Sequence, residues 1–334
     1  MEVQDKQKAQ SKTVDLLNRE SVKDELFDAN RLLEDVLERN NMLKAMYRVI
    51  INKGSYGIDG MKADELWEHV KKTWVTVKAK LLEGKYNPSP VRRVEIPKPD
   101  GGVRLLGIPT VQDRMIQQAI AQILSKLYEP TFSESSFGFR SNRGAKNAIK
   151  QSETYINQGY KWVVDMELEK FFDKVNHNIL MGKLEKKIKD KRLLKLIRKY
   201  LESGVLINGI KVSSEEGTAQ GGPLSLLLAI IILDDVSKEL EKRGHKFCRY
   251  ADDCNIYVKS KRAGLRVMDS ITRIIENERK LKVNKDKSAV DVVSKRKFLG
   301  FSFYFIKGVA KIRIHEKWIK IFKEKVKSIT NRNR

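Results

Sequence analysis

The sequence predicts an α+β protein in which short hairpins combine with amphipathic helices. Asn208 and Gly209 stand between two short aliphatic runs, and this pair is typical of a hairpin turn with positive φ at both central residues. Residues 247–258 place β-branched and aromatic residues on both sides of two adjacent acids, which predicts a second hairpin with a polar tip. Apolar residues recur at helical spacing over residues 21–50, which predicts one long amphipathic helix.

The composition indicates a globular protein with a polyanionic partner. The chain has 334 residues, of which 41% are hydrophobic, and this is enough for one large or two medium domains. Lys and Arg number 67 against 43 Asp and Glu, so the formal net charge is +24. Such an excess favours a nucleic acid first and a membrane surface second, because it gains from counterion release and electrostatic steering.

The sequence predicts no membrane insertion. Residues 1–20 are polar and charged, without the apolar core of a signal peptide, and we expect a mobile tail or a weak first helix there. The longest apolar run, residues 224–233, is about half of what a bilayer span needs. Cys248 and Cys254 flank the acidic tip, and in a reducing cytosol we interpret them as small strand residues and not as a metal site.

Periodicity, caps and turns predict the remaining elements. A basic hairpin is expected from residues 92–97 and 103–108, and it is either an ordinary surface hairpin or a phosphate-binding one. A glycine-rich loop at 217–223 can bring backbone N–H groups to a ligand, and it ends with Pro223 at the first position of a helix. Helices are expected near 62–83, 110–127, 145–158, 177–202, 224–240, 262–280 and 315–330, and strands near 161–168, 289–293 and 297–305.

One predicted strand carries acids on alternate positions. Asp165 and Glu167, with Glu169 just beyond them, share one face, and acids on one face repel each other. The strand is therefore either an exposed edge strand or a metal-binding strand. The acidic hairpin favours the second interpretation, because a polymerase needs carboxylates from two elements that meet around Mg²⁺.

Seven blocks of residues follow one another along the chain. They are Asn52 through Gly54 with Gly57 through Gly60, Ile96 through Arg104, Phe137 through Arg140, Leu168 through Asp173 with Val175 through His177, Gln220 through Ser225, Arg249 through Asp253, and Phe298 through Phe301. In this order they resemble the reverse-transcriptase part of a bacterial group II intron-encoded reverse transcriptase/maturase. Any one block alone is weak, but seven in the family's order make chance resemblance negligible.

The resemblance implies a right-hand polymerase with fingers and palm, an antiparallel palm sheet packed on helices, and a helical N-terminal extension. The implied catalytic and metal-binding residues are Glu167, Asp252 and Asp253, with two Mg²⁺ ions expected and Mn²⁺ as a substitute. The implied nucleotide-binding residues are Lys98, Arg104, Phe172, Gln220, Gly221, Lys285 and Lys287, with the Phe172 ring as a gate against the ribose 2′-hydroxyl. The implied nucleic-acid-binding residues are Arg92, Arg93, Arg140, Arg143, Phe298, Leu299 and Gly300.

The chain departs from the family at four positions. Glu167 stands where the family has Asp, and the extra methylene moves the carboxylate by roughly 1.5 Å. A misplacement near 1 Å can cost on the order of a hundredfold in rate, so we expect impaired catalysis. The family usually has Pro where Ala219 and Leu226 stand and Asn where Ile230 stands, which alters helix entry and hydrogen bonding.

The sequence therefore predicts an RNA-directed DNA polymerase module with two-metal nucleotidyl transfer weakened by Glu167. The alternative is a catalytically weak or inactive module that binds intron RNA and assists splicing. An RNA-dependent RNA polymerase or a defence-associated reverse transcriptase would share the metal chemistry but fits the flanking blocks less well. Expected partners are group II intron RNA, an RNA template with a DNA primer, and dNTPs, in a cytoplasmic ribonucleoprotein without a membrane; the oligomeric state stays open, a dimer included.

The resemblance also implies a domain order. Residues 1–20 are expected to be flexible, 21–107 to form the N-terminal extension and fingers, and 108–310 the palm, with a fingers insertion at about 178–216. Residues 311–334 are expected to begin a thumb. No maturase domain is expected, because the chain stops early compared with the family. No nuclease is expected either, since no zinc-spaced Cys/His cluster occurs in the sequence.

Overall fold

The computed structural model describes residues 28–97, 102–207 and 210–330. The predictions for residues 1–20, for Lys98 with its turn, and for the Asn208-Gly209 turn lie outside these ranges. Within them, no helix is long and apolar enough to cross a membrane.

Helices and short strands follow one another irregularly along the chain. The helices are α1 Leu32–Val36, α2 Arg39–Asn52, α3 Leu66–Leu82, α4 Val111–Tyr128, α5 Ala145–Asn157, α6 His177–Glu185, α7 Lys191–Leu201, α8 Pro223–Lys242, α9 Lys261–Arg273 and α10 Glu316–Thr330. The strands are β1 Val91–Pro97, β2 Val103–Ile108, β3 Trp162–Glu167, β4 Val205–Ile207, β5 Ile210–Val212, β6 Lys246–Tyr250, β7 Asp253–Val258, β8 Ala289–Val292, β9 Lys297–Phe298, β10 Phe301–Ile306 and β11 Val309–Ile314. Most of the predicted elements are confirmed, although α9 is shorter than expected because a π-helical turn follows it.

The long helix predicted for residues 21–50 is wrong, because the chain turns between α1 and α2. The Glu38 side chain accepts a hydrogen bond from the Asn41 N–H at 2.9 Å and so caps α2. The Leu33 N–H of α1 donates to the carboxylate of Asp190, 157 positions along the chain. The apolar spacing runs through the break, so periodicity alone could not locate it.

The helical region predicted for residues 177–202 consists of two helices, α6 and α7. Asp190 caps α7 by accepting from the N–H groups of Arg192 and Leu193 at 3.0 and 3.3 Å. Because the same carboxylate also holds α1, one buried acid fixes the starts of two helices.

Two hairpins join in a four-stranded sheet of order β2-β1-β4-β5, here called the basic sheet. β1 and β2 are antiparallel, as predicted. β4 runs parallel to β1 through the pairs Val91↔Val205 and Arg92↔Leu206. Local sequence does not reveal this union, because the pairing strands lie far apart along the chain.

The acidic strand and the acidic hairpin lie side by side in a sheet of order β6-β7-β3-β8, here called the acidic sheet. Its neighbouring strands are all antiparallel. The register places Glu167 of β3 directly opposite Asp253 of β7, and Asp165 opposite Asn255. Because β3 has a neighbour on each side, it is not the exposed edge strand that the sequence left open.

The acidic sheet separates two parts of the core. Val164 and Met166 of β3 face a large cluster that includes residues of α4, α8 and α9. Val163 faces a smaller cluster with α5 and β10. Side chains alternate along a strand, so Asp165 and Glu167 lie on the face of Val163.

A buried carboxylate links the basic sheet to the helices below it. Asp113 in α4 accepts hydrogen bonds from the hydroxyls of Tyr86 and Tyr200 at 2.7 and 3.2 Å, and from the Ser89 N–H at 3.1 Å. Burial raises the pKa of Asp113, and these hydrogen bonds oppose the rise. The network ties the chain before β1 to α4 and α7, and so sets the position of the basic sheet.

A third sheet has the order β11-β10-β9 and leads into the last helix. β11 was not predicted from the sequence. α10 follows it, and none of the side chains described for α10 is buried.

Candidate active site

The acidic hairpin turns at Ala251, which adopts a left-handed conformation with φ 57°. Asp252 occupies the turn, and Asp253 begins β7, paired with Tyr250 of β6 and with Glu167 of β3. The predicted strand, turn and strand are confirmed. One hairpin acid is in direct register with the acidic strand, and the other lies at the tip.

A buried arginine supports this turn. Arg249 is 2% exposed. Its guanidinium donates to the hydroxyls of Ser237 and Ser136, each at 2.7 Å, and to the carbonyl of Ala251 at 3.1 Å. Burial lowers the pKa of Arg249 to about 10, so the group remains charged at neutral pH. The side chain therefore holds the turn residue that precedes both acids.

The loop before α5 also lies against the hairpin. The Arg249 N–H donates to the Ser135 carbonyl at 2.8 Å, and the Phe137 N–H donates to the Arg249 carbonyl at 2.8 Å. Gly138 passes so close to the turn that a Cβ atom there would lie 2.5 Å from the Ala251 nitrogen. The sequence predicts a nucleic-acid-binding loop here, and the structure shows that the loop supports the acidic turn.

Carboxylates crowd the end of β3 and β7. Burial is the first cause that raises the pKa of Asp253 to about 8, and the charges of Asp165, Asp252 and Glu167 add to it. Burial also raises the pKa of Asp252, which the charge of Arg104 partly opposes. These acids repel one another where they meet, and a bound cation would relieve the repulsion.

Two basic side chains neutralise part of this charge. Lys287 Nζ lies 2.8 Å from Glu167 Oε1, and the Arg296 guanidinium lies 2.6 Å from the Asp165 carboxylate. Arg296 also donates to the Lys287 carbonyl at 2.9 Å. Asp165 and Glu167 are thus each engaged in an ion pair, the first with Arg296 and the second with Lys287.

The donor chemistry at the hairpin fits a divalent ion. Glu167, Asp252 and Asp253 offer carboxylate oxygens, which Mg²⁺ prefers, and the charges of Asp252 and Glu167 act on Asp253 in addition to its burial. Over the residues that the structure describes, no group of three or more His, Cys, Asp or Glu side chains is arranged so that it could already hold a metal ion. Metal binding by these three acids therefore stays a prediction.

Two of the residues predicted to bind the nucleotide meet at a cleft of about 390 Å³ between the basic sheet and the glycine-rich loop. Phe172 and Gln220 line this cleft together with Arg93 of β1. The Gly107 N–H donates to the Gln220 carbonyl at 2.9 Å. A Cβ atom at Gly221 would lie 2.8 Å from the Gly107 carbonyl oxygen, so the basic sheet touches the loop backbone to backbone.

The basic residues predicted for the triphosphate are placed unevenly. Arg104 and Lys287 lie close enough to the hairpin for their charges to act on Asp252, and both charges lower its pKa against the effect of burial. Lys285 is exposed in the segment before β8. The structure therefore brings two of the predicted phosphate-binding side chains to the acidic hairpin.

Arg140 is not placed to contact nucleic acid, which corrects the prediction. Its buried guanidinium pairs with the Glu129 carboxylate at 2.8 Å and donates to the carbonyls of Ser133 and Ser136 at 2.6 and 3.0 Å. These contacts hold the loop that supports the acidic turn. The donors of an arginine suit carbonyls as well as phosphates, so the sequence alone could not separate the two uses.

The other predicted arginines are partly exposed. Arg92 stacks on the Tyr56 ring, with its guanidinium carbon 4.4 Å from the ring centroid. Arg143 pairs with the Glu134 carboxylate. Contacts of Arg92, Arg93 and Arg143 with nucleic acid stay a prediction.

The prediction that Phe298 contacts nucleic acid is also corrected, because its side chain lies in the core. Its side chain is 1% exposed and packs in the smaller core cluster. Leu299 and Gly300 form the turn between β9 and β10 with φ 50° and 86°. The Gly300 carbonyl accepts from the His315 N–H at 3.0 Å, so this turn seats the start of α10.

The departures from the family lie in two different environments. Ile230 is 1% exposed in the large core, where an Asn would need a buried hydrogen-bond partner. Ala219 lines the cleft beside Gln220, and Leu226 is partly exposed on α8. Of these three changes, the one at Ala219 therefore borders the predicted nucleotide pocket.

The fold and the site together define a class. A basic sheet beside an antiparallel sheet, with two hairpin acids facing a third acid, is the fingers and palm of a right-hand polymerase, and the predicted fold class is confirmed. The family described as "Reverse transcriptase (RNA-dependent DNA polymerase)" matches residues 96–303. The chain belongs to this reverse transcriptase family, whose members use divalent metal ions.

Two curated relatives show to which reverse transcriptases the chain is similar. Protein YkfC of Escherichia coli is 28% identical over 304 residues, which cover 79% of this chain and 80% of that protein. Group II intron-encoded protein LtrA of Lactococcus lactis is 37% identical over 230 residues, which cover 68% of this chain and 37% of LtrA. These matches confirm the relationship to group II intron-encoded reverse transcriptases. The chain spans well under half the length of LtrA.

A solved structure shares the fold. Telomerase from Candida albicans, in complex with a TWJ fragment of telomeric RNA, aligns with a TM-score of 0.50 at 15% identity, over 75% of this chain and 51% of that chain. At this identity the likeness supports the fold alone.

Proposed function

We propose that this chain catalyses RNA-directed DNA synthesis, in which the 3′-hydroxyl of a primer on an RNA template attacks the α-phosphate of a dNTP and pyrophosphate leaves. The observation that carries the proposal is the register of Glu167 opposite Asp253, with Asp252 at the adjoining turn. Two-metal nucleotidyl transfer needs carboxylates from two elements at one place, and β3 and β7 supply them.

The proposed site suits two Mg²⁺ ions, with Mn²⁺ as a substitute. When bound, such ions lower the pKa of the attacking hydroxyl and neutralise the triphosphate. Glu167, Asp252 and Asp253 would hold them through carboxylate oxygens. The raised pKa of Asp253 supports a cation at this place.

The chain's own residues would orient the nucleotide. Phe172 and Gln220 line the cleft. Phe172 would meet the sugar there and exclude a 2′-hydroxyl, and Gln220 would border the same nucleotide together with the neighbouring Gly221. The residues proposed to hold its phosphates are Lys98, Arg104, Lys285 and Lys287.

Glu167→Asp is expected to raise the rate of primer extension above that of the parent chain. The Glu167 carboxylate reaches Lys287, and removing one methylene withdraws it from that pair toward Asp253 on the facing strand. A misplacement near 1 Å costs on the order of a hundredfold, so we expect a gain of about 10- to 100-fold in kcat. The measurement is single-nucleotide extension on an RNA template with dNTPs and Mg²⁺ or Mn²⁺.

A matched control tests whether the effect depends on the site of the Glu→Asp substitution. Glu169→Asp makes the same change at an exposed side chain two positions along, and it should leave the rate unchanged. We expect little or no product from the parent. Synthesis by the parent as fast as by Glu167→Asp would contradict the impairment assigned to Glu167, and no product from either protein would count against the polymerase.

A second candidate function is binding of group II intron RNA to assist splicing, with little or no polymerisation. The net charge of +24 favours it, and so does the ion pair of Glu167 with Lys287, which engages an acid that a polymerase needs. LtrA is a group II intron-encoded protein, which suggests the same kind of RNA for this chain. We place both candidate functions in a cytoplasmic ribonucleoprotein.

Binding of intron RNA is expected to weaken steeply with salt. Each phosphate contact made by Lys or Arg releases counterions, and several such contacts predict a loss of about tenfold or more in affinity between 50 and 200 mM salt. Filter binding or fluorescence anisotropy across this range measures the slope. A flat response would contradict an interface dominated by phosphates.

The proposed domain order places residues 21–107 in the N-terminal extension and fingers, 108–310 in the palm, 178–216 in a fingers insertion, and 311–334 at the start of a thumb. β4 and β5 join the basic sheet, which supports the insertion. The exposed side chains of α10 support its assignment to a separate thumb.

A further inference from the structure

The glycine-rich loop is paired with the segment that carries Phe172. An isolated antiparallel bridge brings the two segments together. The Gly217 N–H donates to the Val175 carbonyl at 2.8 Å, and the Thr218 N–H donates to the Phe172 carbonyl at 2.7 Å. The backbone of Phe172 is therefore held directly by the loop.

Gly217 lies against this segment without room for a side chain. Its φ is 88°, and a Cβ atom there would lie 2.9 Å from the Asp173 carbonyl oxygen and 3.0 Å from the Phe172 carbonyl oxygen. The two backbones are thus in van der Waals contact, and close-packed groups transmit displacements to each other. A shift of Gly217 would be passed on to Phe172.

His177 fixes Gly217 through its carbonyl. It is the first residue of α6 and is 3% exposed. Its Nε2 lies 2.6 Å from the Gly217 carbonyl oxygen, and the imidazole must donate because a carbonyl only accepts. The Asn176 side chain accepts a hydrogen bond from the Ile179 N–H at 3.0 Å and so caps α6. This cap fixes the start of the helix, where His177 stands.

The Phe172 ring rests on a fixed neighbour. It meets the Phe171 ring edge to face, with centroids 5.3 Å apart and an interplanar angle of 70°. Phe171 is 2% exposed, so the core holds it in place. The position of the Phe172 ring in the cleft therefore depends on this contact and on the backbone hydrogen bond to the loop.

We propose that His177 is a positioning residue for sugar selection by this polymerase. By holding Gly217, it keeps the Thr218 N–H on the Phe172 carbonyl and so fixes the ring that excludes a ribonucleotide. The inference rests on the proposed function, in which Phe172 is the gate. His177 acts through the loop and does not touch the substrate.

The test compares two substitutions of this histidine. His177→Leu removes the donor, whereas His177→Gln has an amide that donates from a similar distance along the side chain. Both are made in the full chain carrying Glu167→Asp, with that chain as the reference. The first readout is the ratio of Kd values for a dNTP and the matching rNTP on a template-primer with a dideoxy 3′ end, where no turnover occurs. The second is the ratio of kcat/KM on an extendable primer.

His177→Leu should lower the preference for the dNTP by about tenfold, mainly through tighter binding of the rNTP, because rejection of a single hydroxyl by a fitted pocket is worth on the order of a hundredfold at most. His177→Gln should keep the preference of the reference chain. Phe172→Ala removes the proposed gate itself and therefore gives the largest loss of the preference for the dNTP. His177→Asn, whose donor is too short to reach Gly217, should repeat the effect of His177→Leu and serves in its place if the leucine variant does not fold.

Three outcomes would overturn the inference or its basis. If Phe172→Ala relaxes the preference and the histidine variants leave it unchanged, or weaken both nucleotides equally, His177 is only structural. If His177→Gln behaves like His177→Leu, the hydrogen bond is not the cause. If Phe172→Ala itself leaves the ratio unchanged, the gate assigned under the proposed function fails, and the inference fails with it.

Discussion

Asp253→Asn is expected to lower DNA synthesis by about 10³-fold when it is introduced into the Glu167→Asp chain. In the otherwise unchanged chain, in metal-free buffer at pH 8, it is expected to raise the temperature of unfolding above that of the parent. Asp253 is the hairpin acid in direct register with Glu167. A neutral amide does not neutralise a divalent ion, and several kcal/mol of lost charge stabilisation correspond to about this loss in rate.

The gain in stability follows from the raised pKa. Burial and the neighbouring acids raise the pKa of Asp253 to about 8 in the folded chain, against about 3.9 in an unfolded chain. Between these values the folded chain binds more protons, so the free energy of unfolding falls as the pH rises from about 4 to about 8. Because Asn does not ionise, its advantage in Tm should be a few degrees at about pH 8 and should vanish near pH 4.

Thermal unfolding at both pH values in EDTA measures this difference. Asp64→Asn changes an exposed acid just before α3 and should alter neither Tm nor synthesis. Adding Mg²⁺ should raise the Tm of the parent more than that of Asp253→Asn, because a ligand of the folded state stabilises it. An Asp253→Asn protein that melts below the parent at pH 8 would contradict the raised pKa of Asp253 in the folded chain.

Gly138→Ala is expected to destabilise the fold by about 1–3 kcal/mol and to lower kcat by about a hundredfold. The added Cβ atom would lie 2.5 Å from the Ala251 nitrogen and 3.0 Å from the Tyr250 carbonyl carbon. The turn must therefore shift. Because this turn carries Asp252 and leads into Asp253, a shift of about 1 Å is enough to disturb the chemistry.

Urea unfolding and primer extension, measured in the Glu167→Asp chain, test this expectation. Gly182→Ala is the matched control, since a Cβ atom there would meet nothing within 4 Å. Gly182 is exposed within α6, so this change should stabilise the chain by up to about 1 kcal/mol. A Gly138→Ala protein as stable and as active as its parent would refute the role of the loop as a support.

The acidic part of the site could be predicted from the sequence because its signals are local. Alternation along a strand places Asp165 and Glu167 on one face, and the turn composition locates Asp252 and Asp253 at a bend. The prediction that the acidic strand and the acidic hairpin meet followed from the metal chemistry that such acids perform. The register of Glu167 with Asp253 then required the structure.

The support of the site could not be predicted, because its partners are distant in sequence. Arg140 and Phe298 have the residue types of nucleic-acid contacts, yet one donates to buried carbonyls and the other fills the core. His177 and Arg249 stand inside blocks shared with the family, which marked them without assigning a role. The caps by Asp190 lie outside the reach of periodicity, because one of them crosses 157 positions.

The buried charge of Arg249 responds to salt differently from the exposed charges near the acidic hairpin. Its hydrogen bonds go to two hydroxyls and a carbonyl, which are uncharged, and its charge acts on Asp252. Mobile ions screen exposed charges such as Lys287, but they reach a buried charge poorly. Arg249 is therefore a permanent counter-charge inside the protein, and its attraction for the Asp252 carboxylate persists at salt concentrations that screen the surface cations.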